Sequence, residues 1–232
     1  MESNSQYARM DYWDERFKTE KNFEWLSGLE AFEHIITPLI SKDSRIAHIG
    51  CGSSQVSMQL WNLGFKNITN VDYSQVIKPK NGQNVPIFLQ VLIENGKLEH
   101  SYMEWVADDI TTLANCESSS FDVVFEKATI EAILVTEKSA WEPSDEALRN
   151  LESIFSSICR VLKPDGMFIS VSFTQPHFRI PALLREKNWS VEMFEFGETF
   201  HYYVYVCKKG KDLDTELRDR YSSIAKSWLR SL

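Results

Sequence analysis

The run Arg45-Ile46-Ala47-His48-Ile49-Gly50-Cys51-Gly52-Ser53-Ser54, followed about 20 residues later by Val71-Asp72-Tyr73, constrains the fold of this chain more than any other feature. An apolar strand enters a glycine turn, a helix follows, and a second strand ends in a carboxylate. This is how α/β domains hold an adenosine group. Gly50 and Gly52 admit a ligand close to the backbone where a Cβ would collide, and Asp72 can accept hydrogen bonds from both ribose hydroxyls. The spacing alone does not choose the ligand. A dinucleotide fingerprint wants a third glycine where Gln55 stands, so an adenosine ligand without phosphates fits better. Two-glycine turns also occur as plain structure in α/β folds, and the carboxylate at the next strand end is what marks this one as a site.

The chain of 232 residues fits one α/β domain, and 43% hydrophobic content suffices for a single core. A net charge of -8 with a pI near 5.2 argues against a nucleic-acid partner, which needs a basic face, and favours encounter with basic partners. Cys51, Cys116, Cys159 and Cys207 are far apart, and neither they nor the five histidines have metal-ligand spacing. No metal site is expected. No apolar run approaches membrane-spanning length, and Met1 to Gln6 lacks a signal-peptide core and an arginine-rich presequence, so a cytoplasmic address is expected.

Helical patterns cover Met10 to Phe17, Leu29 to Leu39, Ser54 to Leu63 and Ser144 to Leu162, the last capped by Ser144. Strand-like runs cover Arg45 to Gly50, Ile68 to Tyr73, Met103 to Asp108, Phe121 to Lys127, Met167 to Phe173, Trp189 to Phe196 and Tyr202 to Lys208. Strand and helix alternate, which predicts a mostly parallel sheet with helices on both faces. Too few residues separate the last two strands for a crossover helix, so they should form an antiparallel hairpin at the edge. Lys163-Pro164-Asp165-Gly166 reads as a tight turn, with glycine free to take positive φ. Pro79, Gly82 and Pro86 interrupt the helix expected after Ser74, and Ile87 to Asn95 reads as a separate helical turn. Past Gly210, Leu213, Leu217, Tyr221, Ile224, Trp228 and Leu232 share a helical stripe that should dock on the core, with a partner groove as the alternative.

Seven such strands, with Gly50-Cys51-Gly52-Ser53-Ser54, Asp72-Tyr73-Ser74, Asp108-Asp109 and Phe121 to Thr129, resemble the class I S-adenosylmethionine-dependent methyltransferases. The implied fold is a Rossmann-like seven-stranded α/β sheet. Tyr12-Trp13-Asp14-Glu15-Arg16-Phe17, Phe23-Glu24-Trp25, Glu126-Lys127-Ala128-Thr129, Arg160 to Gly166 and Pro176-His177-Phe178-Arg179 look more closely like the methyltransferase-like branch that includes the elongation factor 1-alpha lysine methyltransferases. The likeness runs from about Tyr7 to Gly210 and divides the chain into a cofactor-covering helical segment (1–40), a methyltransferase domain (41–210) and a C-terminal amphipathic helix (211–232).

The resemblance implies S-adenosylmethionine as cofactor and a protein lysine, favoured on elongation factor 1-alpha, as acceptor. It places Trp13, Phe17 and Trp25 around the methionine end, where aromatic faces stabilise a sulfonium; Trp13 and Phe17, four apart on a helix, also read as core. Asp72 takes the ribose, Tyr73 flanks the adenine, Asp108 and Asp109 sit by its amino group, and Lys127 lies at the cofactor edge. Glu126 and Glu131 fall to the substrate mouth, where a carboxylate orients the amine and receives its proton; deprotonating a free lysine at pH 7 costs about 4 kcal/mol. Glu131 reads equally as a solvated helix residue.

Three departures stand out: His48 where an acidic residue is common, Ser54 at a possible third glycine, and Ala128 where this branch carries glycine. If that position needs positive φ, alanine costs about 1 kcal/mol there. Two alternatives remain open at this stage. One is a cofactor-binding scaffold without transfer activity, and the other is methylation of a different protein such as citrate synthase. A nicotinamide-dependent reductase is disfavoured by Gln55 and by the hairpin.

Overall fold

A computed structural model of the chain describes residues 4–19, 23–73, 91–212 and 215–232. Seven strands form one sheet: β1 (Ile46–Ile49), β2 (Ile68–Asp72), β3 (Glu104–Ala107), β4 (Phe121–Lys127), β5 (Leu162–Ser172), β6 (Trp189–Phe196) and β7 (Tyr202–Lys209). Their order is β3-β2-β1-β4-β5-β7-β6. The first five pair in parallel, and β7 inserts antiparallel between β5 and β6. This is the expected sheet with its edge hairpin. The chain leaves β1 toward one edge and returns through β4 toward the other, so the sheet has a switch point between β1 and β4, where ligands of open α/β sheets bind.

The helices are α1 (Met10–Thr19), α2 (Glu33–Ile36), α3 (Val56–Asn62), α4 (Val91–Glu99), α5 (Thr129–Leu134), α6 (Asp145–Val161), α7 (Pro176–Leu183) and α8 (Thr215–Ile224), with short 3-10 turns at Asn4–Ala8, Leu29–Ala31 and Thr37–Leu39. The core has two halves. One gathers Leu148, Leu151, Phe155 and Ile158 of α6 with Leu183 and Trp189; the other gathers Phe32, Ile36, Val56, Leu60 and Phe65 against Ile46 and Phe125. Burial of strand residues such as Val71, Val124 and Ile169 at 0% exposure reflects helices on both faces. Helix α6 runs as its pattern requires. Ser144 Oγ accepts from Ala147 N–H at 3.1 Å, Asp145 and Glu146 occupy the positive first turn, and Arg160 the last.

Four expectations change. Leu29 to Leu39 is three short pieces, because Phe32 leaves helical geometry at φ -128° and Pro38 opens the last 3-10 turn. Lys163 to Gly166 is a bulge inside β5: Phe121 pairs with Leu162, and Val123 already pairs with Met167. Gly166 is not left-handed there; a Cβ would lie 3.1 Å from the carbonyl of Asp122, so close approach explains the glycine. The C-terminal stripe is a helix only to Ile224, after which Ala225 and Trp228 still bury against the core. Trp228 Nε1 donates to the Ala140 carbonyl at 2.9 Å, and Arg230 reaches Asp145 and the Pro143 carbonyl. The tail therefore docks on its own chain. Most of the proline-broken segment after Ser74, and Leu213, lie outside the described residues; α4 begins only at Val91.

Ala128 has φ 63° and ψ 8°, the left-handed geometry for which its glycine substitution mattered. The left-handed well costs an L-residue about 1–2 kcal/mol, part of which glycine returns through its looser unfolded chain. Ala128→Gly should raise the melting temperature by roughly 2 °C. A thermal scan showing a lower value would mean that the αL residue is not strained.

Candidate functional site

A cavity of about 600 Å³ opens at the carboxyl ends of β1, β2 and β4, a size suited to a small organic ligand. The glycine turn forms its floor. Gly50 (φ 61°) and Gly52 (φ 48°) are both left-handed, and a Cβ on Gly50 would collide with the Thr129 side chain. Thr129 Oγ1 donates to the Gly50 carbonyl at 3.3 Å, which seats α5 on the turn. At the end of β2, Asp72 Oδ2 accepts from Gly52 N–H at 2.8 Å, and both residues line the cavity with Tyr73.

The N-terminal segment supplies an aromatic wall. Tyr7, Trp13, Phe23 and Trp25 line the cavity, with ring centroids 5.3 Å apart for Tyr7–Trp25, 6.0 Å for Trp13–Trp25 and 5.1 Å for Phe23–Trp25. The Arg16 guanidinium carbon lies 4.6 Å from the Phe23 ring centroid and 5.0 Å from that of Trp25, which ties the cluster together. Helix α1 carries Phe17, whose side chain lies outside the described residues.

Lys127, at the end of β4, lines the same cavity and is 7% exposed. Its ammonium donates to Glu24 at 2.7 Å and to the Trp25 carbonyl at 2.5 Å. Burial pushes it below the ordinary lysine range, and Glu24 opposes that shift. Glu24 also accepts from Ser54 Oγ at 3.0 Å and from Gln55 N–H at 2.5 Å. One carboxylate thus joins the N-terminal segment, the glycine turn and β4. His48, buried beneath them, meets Ser57 Oγ at 2.8 Å, and burial pushes it down to about 3, so it is a neutral core group.

The carboxylates expected at the site separate into two kinds. Asp109 lines the cavity and Asp108 does not. Asp108 instead accepts from the N–H groups of Asp109, Ala114 and Asn115 at 2.9, 3.0 and 2.7 Å, so its expected contact with adenine gives way to a role holding this loop. Glu131 lines the cavity, whereas Glu126 is 0% exposed and absent from its lining. Side chains alternate along β4, and Glu126 points where Ser170 Oγ and the Thr129 N–H (2.9 Å) close around it. Its expected place at the substrate mouth is therefore corrected: Glu126 lies beneath the mouth and shapes the start of α5.

Two residues carried no assigned role in the sequence and do so here. Glu24 is one. The other is Arg179 on α7, whose side chain is 1% exposed and pairs with Glu131. An arginine in the apolar run Phe178 to Leu184 was the available signal, since a buried guanidinium requires a carboxylate partner. Among the described residues no cluster of three or more metal-ligating groups occurs, and no helix is long and apolar enough to cross a membrane.

A model of the family described as "Methyltransferase domain" matches residues 47–170, more than half of the chain, and the chain belongs to that family. It is a methyltransferase, and its methyl donor is S-adenosylmethionine. Among its relatives, "EEF1A lysine methyltransferase 4" of Mus musculus is 33% identical over 217 residues, 91% of this chain and 80% of that protein. The "eEF1A lysine and N-terminal methyltransferase" of Homo sapiens is 24% identical over 201 residues, 85% of this chain but only 26% of that protein. Of solved structures, a SAM dependent methyltransferase from Aquifex aeolicus shares the fold at TM-score 0.54 and 14% identity, over 84% of this chain and 97% of that one. A TehB-like SAM-dependent methyltransferase from Corynebacterium glutamicum does so at TM-score 0.52 and 16% identity, over 76% of this chain and 85% of that one.

Burial pushes the Glu126 carboxyl up to about 7, with Glu131 adding to the rise. A carboxyl raised in the folded state stabilises fully below its unfolded value near 4.5, and that contribution is lost as pH climbs to about 7. Glu126→Gln mimics the protonated form, so its stability relative to the parent should grow between pH 4.5 and 7.5. His48 falls in the opposite direction over an overlapping range, but it is common to both proteins and cancels in the difference. Chemical denaturation of the two proteins across that range checks this; a difference that does not change with pH refutes the shift.

Proposed function

We propose that this methyltransferase modifies a lysine side-chain amine of a protein, with elongation factor 1-alpha as the favoured substrate and the cytoplasm as the place of action. The observation that carries the reading is that one cavity is lined by the glycine turn, Asp72, the aromatic wall, Lys127 and Glu131. Two relatives, of Mus musculus and Homo sapiens, carry names that describe methylation of eEF1A, and the acidic chain suits a basic substrate.

When bound, S-adenosylmethionine supplies a methyl group on a positively charged sulfur. The residues present fit that group. Asp72 would accept from its ribose, with Gly50 and Gly52 leaving room; Tyr73 and Asp109 would flank the adenine side; and Trp13 and Trp25 would present ring faces suited to a cation without hydrogen-bond donors. Lys127 and Glu24 hold the opposite charges of an ion pair beside the aromatic wall, a pairing suited to the zwitterionic methionine end. Glu131 would orient the incoming amine and take its proton, leaving the nitrogen lone pair free for the methyl group that the cofactor would supply. No protein residue needs to carry the methyl group.

A cell extract incubated with this protein and a methyl-labelled cofactor should show a labelled band that co-purifies with elongation factor 1-alpha and yields methyl-lysine on hydrolysis. Labelling confined to other proteins overturns the substrate, and methyl groups on another residue type overturn the lysine assignment. Asp72→Ala should weaken S-adenosylhomocysteine binding by roughly 10–100-fold in calorimetry, the worth of hydrogen bonds to a charged group. Unchanged affinity in that variant would remove Asp72 from the cofactor site.

A further inference from the structure

Trp141 is 57% exposed, whereas every other tryptophan of the chain is buried or half-buried. Its ring stacks on His177 with centroids 5.6 Å apart and planes at 25°, and it meets Phe178 edge-on at 4.8 Å. Both partners belong to the first turn of α7. The indole is thus supported by aromatic rings, and more than half of its surface is left to solvent.

The loop that carries this ring is fixed at many points. From the C-terminal tail, Ser227 Oγ donates to the Trp141 carbonyl, Trp228 Nε1 to the Ala140 carbonyl at 2.9 Å, and Arg230 Nη2 to the Pro143 carbonyl at 2.7 Å. Within the loop, Ser139 Oγ accepts from the N–H groups of Trp141 and Glu142, each at 3.2 Å. Glu137 accepts from Ser144 N–H at 2.7 Å and from Ser144 Oγ at 2.8 Å. A large aromatic ring held in water on a braced backbone loses little freedom when a partner covers it, which is what an anchor for binding requires.

The loop stands on the rim of the cavity. Val135, just before it, lines the cavity, and so does Asn150, five residues into α6 and roughly 8 Å along that helix. On the other side, the half-exposed Phe173 lines the cavity just ahead of α7, and Arg179, next to Phe178, pairs with the lining residue Glu131. The charge around the ring is acidic. From Glu137 to Arg149 the chain carries four carboxylates against Lys138 and Arg149, and the exposed Glu142 and Glu146 have no ion-pair partner among the described residues. An indole face beside unpaired carboxylates suits the stem and charge of a lysine or arginine side chain.

We propose that Trp141, backed by His177 and Phe178 and flanked by Glu142, is the docking point for a cationic segment of the protein substrate that flanks the residue entering the cavity. The proposal rests on the acceptor being a protein, and it adds where on the enzyme that protein is held. The C-terminal tail has a part in it, because its three contacts brace the loop that displays the ring.

The test takes as acceptor the protein that the parent labels in cell extract with methyl-labelled S-adenosylmethionine, purified, whether elongation factor 1-alpha or another. Trp141→Ala should raise KM for that acceptor at least about 10-fold. Both kcat and the affinity for S-adenosylhomocysteine should stay within about 2-fold, since the ring binds ground state and transition state alike. Trp141→Phe, which keeps a ring on His177, should bring KM back to within about 3-fold of the parent. Glu142→Lys should raise KM about 3-fold in roughly 50 mM salt and less in roughly 200 mM. An unchanged KM in Trp141→Ala overturns the proposal, as does a loss of cofactor affinity as large as the rise in KM. An unchanged KM in Glu142→Lys overturns the cationic character of the segment. If sedimentation shows a dimeric parent and a monomeric Trp141→Ala with the parent's KM, the surface belongs to a second copy of the chain and the proposal falls. A KM effect on an acceptor other than elongation factor 1-alpha upholds the docking point and sinks only the favoured substrate. A parent that labels no protein sinks both.

Discussion

The hydrogen bond from Gly52 N–H to Asp72 Oδ2, at 2.8 Å, is the constraint on which the rest of this site is built. It links the turn after β1 to the end of the neighbouring strand β2, beside the sheet's switch point, and it orients a carboxylate that has almost no contact with solvent. The turn can reach that position only because Gly50 and Gly52 take left-handed φ, and α5 packs on it only because Gly50 has no Cβ to meet Thr129. The glycine turn and helix α5 are therefore positioned by the same few atoms. A change at Gly50 would disturb both at once.

Around this turn the protein buries charge that a simpler core would avoid. Lys127 is balanced by Glu24, and Glu131 by Arg179. Buried pairs of this kind contribute little net stability compared with apolar replacements of similar size, because desolvation offsets most of the attraction. One member of each pair, Lys127 and Glu131, lines the cavity. The Glu24 pair has a second effect. Since the same carboxylate also holds Ser54 and Gln55, the N-terminal aromatic segment is fastened to the glycine turn through a polar contact. The aromatic wall is thus tied directly to the cavity it lines.

The strands and their order of use were legible because alternation of apolar runs with capped helices is a local pattern, and the short link after β6 forced a hairpin. The glycine turn and Asp72 were legible for the same reason: one short segment specifies both. What sequence did not reveal depended on contacts between distant segments. Glu126 and Glu131 look alike in the chain, yet strand alternation and a left-handed residue between them send one under the floor and the other to the cavity. Asp108 and Asp109 differ in the same way, because three backbone N–H groups of the following loop claim Asp108. The Arg179 partner lies 48 residues away in sequence, a pairing that no local pattern encodes. At Ala128, by contrast, the glycine of the resembling branch pointed to a position that could need positive φ, and the backbone there is left-handed.

The segment from Glu126 to Glu131 shows why that backbone matters. A strand alternates its side chains and a helix turns them by about 100° per residue, so the join determines which residues face the ligand. Here Lys127 is the last strand residue and faces the cavity, Ala128 turns left-handed, and α5 begins at once with Thr129 against the glycine turn. Glu126 reaches forward to accept the Thr129 N–H, which braces the strained residue from both sides. A strained αL residue persists only where its surroundings over-determine it, and this one has a hydrogen-bonded residue before it and another after it. The strain has a geometric return. Without the left-handed step, α5 would leave β4 in another direction, and Glu131 would no longer lie between the cavity and Arg179. The proximity of Lys127 and Glu131 at one cavity, four residues apart in sequence, is set by one residue's φ.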